Sequence, residues 1–204
     1  MKSRSGSLPF FLASCALCLS TASQAAIFTT QLSGSNESSP NTSPGTGSAT
    51  VNFDLATHLF SIDLSFSGLT SNTVGAHIHC CIAPPGNAIV ATPVPAFSGF
   101  PLGVTSGTYS NTFNTLDLTT WNQAFVTANG GTAAGAEAAL AAGLAAGTSY
   151  LNLHTTTFPS GEIRGFLTAA PTGRVPEPPA LALFAITMAA IAVARRRRSP
   201  SKPA

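Results

Sequence analysis

Residues 48–66 read SATVNFDLATHLFSIDLSF, and their apolar side chains recur at every second position on either side of a short break. Because successive side chains of a β-strand point to opposite faces, this alternation is typical of two half-buried strands. The intervening Ala56-Thr57-His58 lies where a turn would join them. The stretch therefore predicts an antiparallel hairpin that buries one of its faces.

Shorter runs of the same kind lie on both sides of this hairpin. Further strands are predicted at residues 26–32, 74–82, 88–92 and 103–113, and a closing hairpin at residues 148–154 and 162–167. The alanine-rich residues 133–146 favour a helix, and residues 119–128 favour helical turns. The fold predicted for residues 26–168 is therefore mainly all-β, an antiparallel β-sandwich with a short helical crossover.

The composition excludes one large class of partner. Charged residues make up 8% of the 204 residues, against about 25% in an ordinary soluble domain. Within residues 26–174, two arginines stand against six acidic residues, which gives this part a net charge of −4. A nucleic-acid-binding protein needs a basic surface that neutralises phosphates. We therefore expect no nucleic-acid partner.

The N-terminal end has the order of an export signal. Residues 1–7 are positively charged, residues 8–19 are apolar, and Ser23-Gln24-Ala25 offers small residues where a signal peptidase cleaves. This order predicts a secretory signal peptide over residues 1–25. Two alternatives stay open. Leu12-Ala13-Ser14-Cys15 resembles a bacterial lipobox, which would place a lipid on Cys15, and the apolar run is also compatible with a buried helix.

The C-terminal end combines three features in a fixed order. After a linker at residues 169–174 come Val175-Pro176-Glu177-Pro178, an apolar run at residues 179–194, and the cluster Arg195, Arg196, Arg197 and Arg198. The apolar run predicts a C-terminal hydrophobic helix of roughly 24 Å, a short transmembrane span. The arginines would hold its end, and a tail at residues 199–204, in the cytoplasm.

This three-part arrangement resembles the PEP-CTERM sorting signal of Gram-negative bacteria. The resemblance implies that an exosortase-type enzyme processes the protein at the cell envelope and that residues 179–194 enter the inner membrane transiently. A plain membrane anchor is the alternative. On both interpretations, residues 26–174 lie outside the inner membrane.

Residues 75–82, GAHIHCCI, are the first candidate for chemistry. On a strand, His77, His79 and Cys81 point one way, whereas Ile78, Cys80 and Ile82 point towards the core. Imidazoles and thiolates are ligands of transition metals. The segment therefore suggests a copper or zinc site.

The closing hairpin offers a second polar face. Asn152 and His154 alternate with leucines before the turn. Glu162 and Arg164 follow the turn and are two residues apart. Glu162 and Arg164 could form an ion pair, or a small hydrogen-bonded network with Asn152 or His154. If the two faces meet, His77, His79 and His154 form a three-histidine cluster. A structural polar network, a metal site and catalytic use all stay open.

The cysteines also leave alternatives. Cys15 and Cys18 would depart with the signal peptide, which leaves Cys80 and Cys81 in an oxidising compartment. These two could form a disulfide between adjacent residues, remain a free pair or pair between chains. Cys81 could also serve as a metal ligand.

Several residue strings along the chain resemble the CHRD domain, the module first named from chordin. They are Leu32-Ser33-Gly34-x-x-Glu37 with Pro40, Gly47, Gly75-Ala76-His77-Ile78-His79, Tyr150-Leu151-Asn152-Leu153-His154-Thr155 and Gly161-Glu162-Ile163-Arg164-Gly165. The resemblance covers residues 27–168. It implies a β-sandwich-type module of extracellular and envelope proteins, and it implies no defined reaction.

A weaker resemblance connects His77 and His79 with the Gly-x-His-x-His copper ligands of copper–zinc superoxide dismutases. The chain departs from that family because it lacks a histidine-rich zinc loop followed by an aspartate. Mononuclear copper or zinc binding stays open, whereas dismutase activity is not expected. The chain also lacks Gly-x-Ser-x-Gly, phosphate-loop and His-Glu-x-x-His motifs.

The function expected from the sequence is that of a non-enzymatic, exported component of the cell surface or matrix, with exopolysaccharide as a candidate partner. The alternative is a periplasmic or extracellular copper- or zinc-binding protein. A third hypothesis is a protein–protein interaction module.

Overall fold

The computed structural model describes residues 25–171 of the chain. Within these residues, nine strands form one sheet. The strands are β1 (Ala26–Ser33), β2 (Thr46–Asp54), β3 (Leu59–Ser67), β4 (Thr73–Cys80), β5 (Ile89–Val90), β6 (Gly107–Asn114), β7 (Tyr150–Thr155), β8 (Ile163–Phe166) and β9 (Thr168–Ala169).

The helices lie between β6 and β7. They are α1 (Gln123–Ala128) and α2 (Ala133–Ala145), preceded by a single 3₁₀ turn at Leu118–Thr120. Asn122 caps α1 through the Ala124 amide, and Thr132 caps α2 through the Gly135 amide. The helical crossover predicted from residues 119–128 and 133–146 is thus present, divided into three short pieces. A second 3₁₀ turn, Gly34–Asn36, follows β1.

The strand order is β5-β4-β7-β8-β1-β2-β3-β6, with β9 beside β1, and the named neighbours are antiparallel. β2 and β3 form the hairpin predicted from residues 48–66, with Val51 opposite Ile62 and Phe53 opposite Phe60. These four side chains are buried. Alternation of apolar and polar residues therefore set this register, because a slip by one position would expose the whole apolar set.

The sheet curls so that its two ends meet across the core. Phe97, in the segment after β5, donates its amide hydrogen to the carbonyl of Ala76 on β4 at 3.1 Å. The ring of Phe97 also packs on Phe60 of β3 and Phe113 of β6, with centroid distances of 6.4 and 6.0 Å. The mainly antiparallel, sandwich-like fold expected from the sequence is confirmed. The two packed layers of this fold belong to one continuous sheet.

Among residues 25–171, no helix is both long and apolar enough to cross a membrane. The predicted C-terminal helix at residues 179–194, the motif at residues 175–178 and the arginines at residues 195–198 lie outside the described residues. The predicted signal peptide lies outside them as well, apart from its last residue.

Candidate metal centre

The candidate site lies on one face of the β4–β7 pair. In this pair His77 is opposite Asn152, His79 is opposite Tyr150, and Gly75 is opposite His154. The alternate residues Ala76, Ile78, Leu151 and Leu153 are fully buried in the hydrophobic core. Because side chains alternate along a strand, burial of this apolar set turns the three histidines to the other face.

The structure brings the three imidazoles together. One ring nitrogen from each of His77, His79 and His154 lies within 4.8 Å of the others. The Nδ1 atom of His77 is 3.1 Å from Nε2 of His79, and the ring centroids of His77 and His154 are 4.6 Å apart. We call these three residues the histidine cluster.

Two main-chain carbonyl groups orient the cluster. Nδ1 of His79 donates a hydrogen bond to the Ala88 carbonyl at 2.8 Å, and Nδ1 of His154 donates to the Pro159 carbonyl at 3.0 Å. A carbonyl oxygen only accepts, so each Nδ1 carries the proton and each Nε2 keeps a lone pair. Hydrogen bonds of this kind fix the tautomer and ring orientation of metal-binding histidines.

One of these nitrogen atoms has no partner. Nε2 of His154 is buried and makes no hydrogen bond to any described residue. A buried polar atom without a partner is costly, and its presence in a folded protein calls for a specific explanation. A ligand held between the three rings would satisfy this atom.

The histidines are uncharged at neutral pH. Burial, with smaller contributions from the neighbouring imidazoles, lowers the pKa of His77 to about 3. Burial likewise lowers the pKa of His79 to about 4, although the hydrogen bond to Ala88 opposes this effect. Burial also lowers the pKa of His154. The three imidazoles are therefore neutral at pH 7, which is the form that binds a metal cation.

The spacing fits a single transition-metal ion. Metal–nitrogen bonds of about 2.0–2.1 Å in a tetrahedral site place ligand nitrogens about 3.4 Å apart. The 3.1 Å separation of His77 and His79 is close to this value. The remaining separations do not exceed 4.8 Å. Three imidazoles would occupy three positions and leave one for water or another small ligand.

Aromatic and cationic groups support one side of the cluster. The ring of Tyr150 stacks on His79 with centroids 4.6 Å apart and an angle of 8° between the planes. The guanidinium carbon of Arg164 lies 4.8 Å from the centre of the Tyr150 ring. The Tyr150 hydroxyl accepts a hydrogen bond from the amide of Ala88, the residue whose carbonyl orients His79. Packing and hydrogen bonding thus restrict the position of His79.

The predicted pair of Glu162 and Arg164 is not formed, and this expectation is corrected. Arg164 is fully buried and lies beside Glu37, with Nε 3.8 Å from Oε2. Its nitrogens also donate to the carbonyls of Asn36, Pro85 and Gly86 and to the side chain of Asn87. Arg164 therefore joins two loops, at residues 34–37 and 84–87, to β8.

Glu162 points to the opposite face of the hairpin. It precedes β8, and its carboxylate accepts hydrogen bonds from the hydroxyls of Ser43 and Thr155 and from the amide of Thr70. Thr155 follows His154 in β7, so its side chain lies on the other face of the strand. These hydrogen bonds lower the pKa of Glu162 against the effect of its burial. Glu162 thus joins three segments through residues other than the cluster histidines.

Glu37 is a further residue of this region, and the sequence predicts no role for it. The side chain is buried, which raises its pKa to about 7 although Arg164 and Asn152 both lower it. Its Oε1 atom and Oδ1 of Asn152 are buried without a hydrogen-bond partner among the described residues. Both surround Gly161, where a Cβ would lie within 2.8 Å of them. The signal for Glu37 in the sequence was its place in the string Leu32-Ser33-Gly34-x-x-Glu37, which resembles the CHRD domain but indicates no role for the carboxyl group.

The cysteines lie outside the cluster. Cys80 and Cys81 form a disulfide, and both sulfurs face the carbonyl of Ala139 on α2. This corrects the expectation that Cys81 could join the histidines as a ligand. β4 ends at Cys80, so the alternation that would place Cys81 beside His79 does not continue to it.

The fourth histidine has a separate environment. Nδ1 of His58, at the turn between β2 and β3, lies 3.0 Å from the carboxylate of Glu137 on α2. The hydroxyl of Thr115 donates to the same carboxylate. These contacts join the hairpin to the helical crossover, and His58 offers an imidazole that is independent of the cluster.

Comparison with known proteins identifies the family. The CHRD domain matches residues 28–167, from β1 to the residue after β8, and so covers more than half of the chain. The match includes all three cluster histidines together with Glu37, Asn152 and Arg164. No curated protein and no solved structure matches the chain. The chain belongs to the CHRD domain family, which is typical of extracellular and secreted proteins.

Proposed function

We propose that this CHRD domain binds one copper or zinc ion through His77, His79 and His154. The observation that carries the proposal is the orientation of the rings. The carbonyls of Ala88 and Pro159 keep the protons of His79 and His154 on Nδ1, so both Nε2 atoms carry a lone pair that can bind one ion, that of His79 once its hydrogen bond from His77 is replaced.

The ligand chemistry limits the choice of metal. Imidazole nitrogens suit copper, zinc, iron and nickel, whereas calcium and magnesium require oxygen ligands. Among divalent ions of the first transition row, affinity for such a site is highest at copper, with zinc also bound strongly. The group consists of three imidazoles without a carboxylate, and such a ligand set is compatible with both copper and zinc.

We further propose that the protein is exported and has a non-enzymatic role at the cell surface or in the extracellular matrix. Family membership supports an extracellular location. The signal-like residues 1–25 and the PEP-CTERM-like residues 175–198 support export and sorting by an exosortase-type enzyme in a Gram-negative bacterium. The Ser-, Thr- and Asn-rich domain with few charges is compatible with contact to exopolysaccharide.

Metal titration tests the central part of this proposal. Purified protein is stripped with a chelator and titrated with Zn²⁺ or Cu²⁺ in competition with a chromophoric chelator. One equivalent should bind, and His77→Ala should abolish this binding. His58→Asn is the matched control, because it removes the histidine outside the cluster. Asparagine adopts the positive φ of position 58 more readily than most residues. Equal binding by His77→Ala and the unchanged protein would overturn the assignment.

Mass spectrometry of the mature protein tests export and sorting. Cleavage after Ala25 and loss of residues beyond the Pro176-Glu177-Pro178 segment are expected in the envelope or culture medium. An intact chain of 204 residues in the cytosolic fraction would contradict this part and leave metal binding unaffected.

A further inference from the structure

The disulfide between Cys80 and Cys81 lies directly beside a metal-binding residue. Cys80 is the last residue of β4 and follows His79. Its side chain is buried, whereas Cys81 is exposed to solvent. The bond thus joins a solvent-exposed residue, through which a small thiol can approach, to a residue of the core.

We infer that Cys80–Cys81 is a thiol–disulfide exchange site for a dithiol reductant, and that opening it weakens the adjacent histidine cluster. The second half of this inference rests on the metal binding proposed above. It adds a redox response to a site that would otherwise respond only to metal concentration.

The exchange follows ordinary thiol chemistry. A thiolate of the donor attacks Sγ of Cys81, the sulfur–sulfur bond breaks, and Sγ of Cys80 leaves and takes up a proton. The second thiol of the donor then displaces Cys81 from the mixed disulfide. Two electrons and two protons pass from the donor to the cysteine pair, and the donor leaves as a disulfide.

The surroundings make this opening consequential. A Cβ at Gly143 of α2 would overlap both sulfurs and the hydroxyl of Ser149, so α2 closes tightly over the pair. Two separate thiols need more room than a bonded pair, because their sulfurs move from about 2 Å apart to van der Waals contact. Because α2 packs this closely on both sulfurs, we expect opening of the bond to shift the Cys80–Cys81 segment or the helix.

A displacement at Cys80 reaches His79 through β5. This strand pairs with β4 through His79–Val90 and Cys80–Ile89, and the amides of Ala91 and Thr92 directly after it donate to the carbonyl of Ile78. The residue before it, Ala88, supplies the carbonyl that holds Nδ1 of His79. Loss of the Cys80–Ile89 pair therefore loosens the group that orients one ligand. Loss of such a supporting contact lowers metal affinity by about 10–100-fold in other sites.

Native-state trapping tests the exchange itself. The folded protein is incubated with dithiothreitol, the thiols are blocked with iodoacetamide, and the mass is measured. Two blocked cysteines are expected in the mature chain, which lacks Cys15 and Cys18, and Cys80→Ser, which retains the exposed Cys81, should show one block with or without reductant. No reductant-dependent blocking in the folded protein, with two blocks after unfolding, would overturn the inference.

Cobalt binding tests the coupling. Oxidised and reduced forms, freed of reductant under anaerobic conditions, are titrated with Co²⁺ as a spectroscopic probe. We expect about tenfold weaker binding by the reduced form, an imidazole-only spectrum, and recovery after reoxidation. Equal affinities, or a thiolate-to-cobalt absorption band with tighter binding, would overturn the coupling.

Failure of the proposed metal site can be separated from failure of this inference. If the oxidised protein binds no cobalt, the metal proposal fails by itself. Blocking then still decides the exchange, and the nuclear magnetic resonance signals of the His79 ring decide the coupling. A change in these signals on reduction supports it, and unchanged signals overturn it.

Discussion

Nδ1 of His77 donates a hydrogen bond to Nε2 of His79 across a distance of 3.1 Å. The direction follows from the Ala88 carbonyl, which holds the proton of His79 on Nδ1 and leaves Nε2 as an acceptor. A metal ion bound between the two rings must replace this hydrogen bond. In the metal-free chain, this hydrogen bond therefore holds the rings of His77 and His79 close together.

This relationship predicts a tautomer change confined to one residue. Without metal, His77, His79 and His154 should each carry the proton on Nδ1. Addition of Zn²⁺ should move the proton of His77 to Nε2 and leave the other two histidines unchanged, because the carbonyls of Ala88 and Pro159 still require Nδ1–H. Nitrogen-15 spectra of the imidazoles measure this directly. Unchanged ring signals of His77 with saturating zinc would count against a shared ion.

Metal removal should lower stability. A ligand that binds only the folded state stabilises it by about 2.7 kcal/mol at a free concentration 100 times Kd. Thermal unfolding with buffered Zn²⁺ and with a chelator should show this difference in the unchanged protein. His154→Gln should lose most of it, since it removes the unpartnered Nε2 atom, and His58→Asn should retain it. A metal effect of equal size in His154→Gln would exclude His154 as a ligand.

The histidine cluster makes stability fall as the pH is lowered. The unfolded chain takes up protons near the ordinary histidine pKa of about 6.5, whereas the pKa values of His77 and His79 in the folded chain are about 3 and 4. Between these limits the unfolded state binds more protons. Each of these imidazoles therefore contributes stability that is complete above pH 6.5 and decreases by up to about 1.4 kcal/mol per pH unit below it.

Glu37 has the opposite effect on the pH dependence of stability. Its pKa is raised to about 7 in the folded chain, so its contribution is present at low pH and is lost as the pH rises from about 4.5 through 7. Three histidines with lowered pKa values outnumber this one carboxyl, and the net slope between pH 4.5 and 6.5 should be positive. Denaturant unfolding of the metal-free protein measures the slope. Glu37→Gln should make it steeper, and a flat or negative slope in that variant would contradict the account.

The sequence predicts the histidine cluster, but it does not predict the contact between Glu37 and Arg164. The histidine cluster follows from alternation along β4 and β7. Each histidine is next to an apolar residue in the sequence, and the two side chains point to opposite faces of the strand. Glu37 and Arg164 do not follow from any local pattern. Their contact depends on the pairing of Ser33 with Arg164, which brings β1 beside β8 in the middle of the sheet. That order of strands is a property of the whole chain.

The same limit explains the corrected expectations. A spacing of two residues predicted that Glu162 and Arg164 share a face, but Glu162 lies before β8 begins at Ile163. The alternation at His79 likewise predicted that Cys81 joins the histidines, but β4 ends at Cys80. The length of each strand is decided by its partners and by the disulfide, so periodicity places interior residues reliably and residues at strand ends less well.

The buried arginine should be sensitive to a change that keeps its charge. Arg164→Lys retains a cation but loses the planar group that reaches Asn36, Pro85, Gly86 and Asn87 together. We expect the free energy of unfolding to decrease by about 2–3 kcal/mol, since each lost hydrogen bond contributes about 1 kcal/mol. Asn87→Ala, which removes one of these acceptors, should cost about 1 kcal/mol. Equal stability of Arg164→Lys and the unchanged protein in denaturant unfolding would show that the guanidinium contacts contribute nothing.

X-ray absorption of the zinc- or copper-loaded protein examines the ligand set itself. The account predicts nitrogen scatterers at about 2.0–2.1 Å with the multiple-scattering pattern of three imidazoles, and no sulfur. A sulfur shell at about 2.3 Å, a shell of oxygen atoms without imidazole, or no metal retained after dialysis would contradict it.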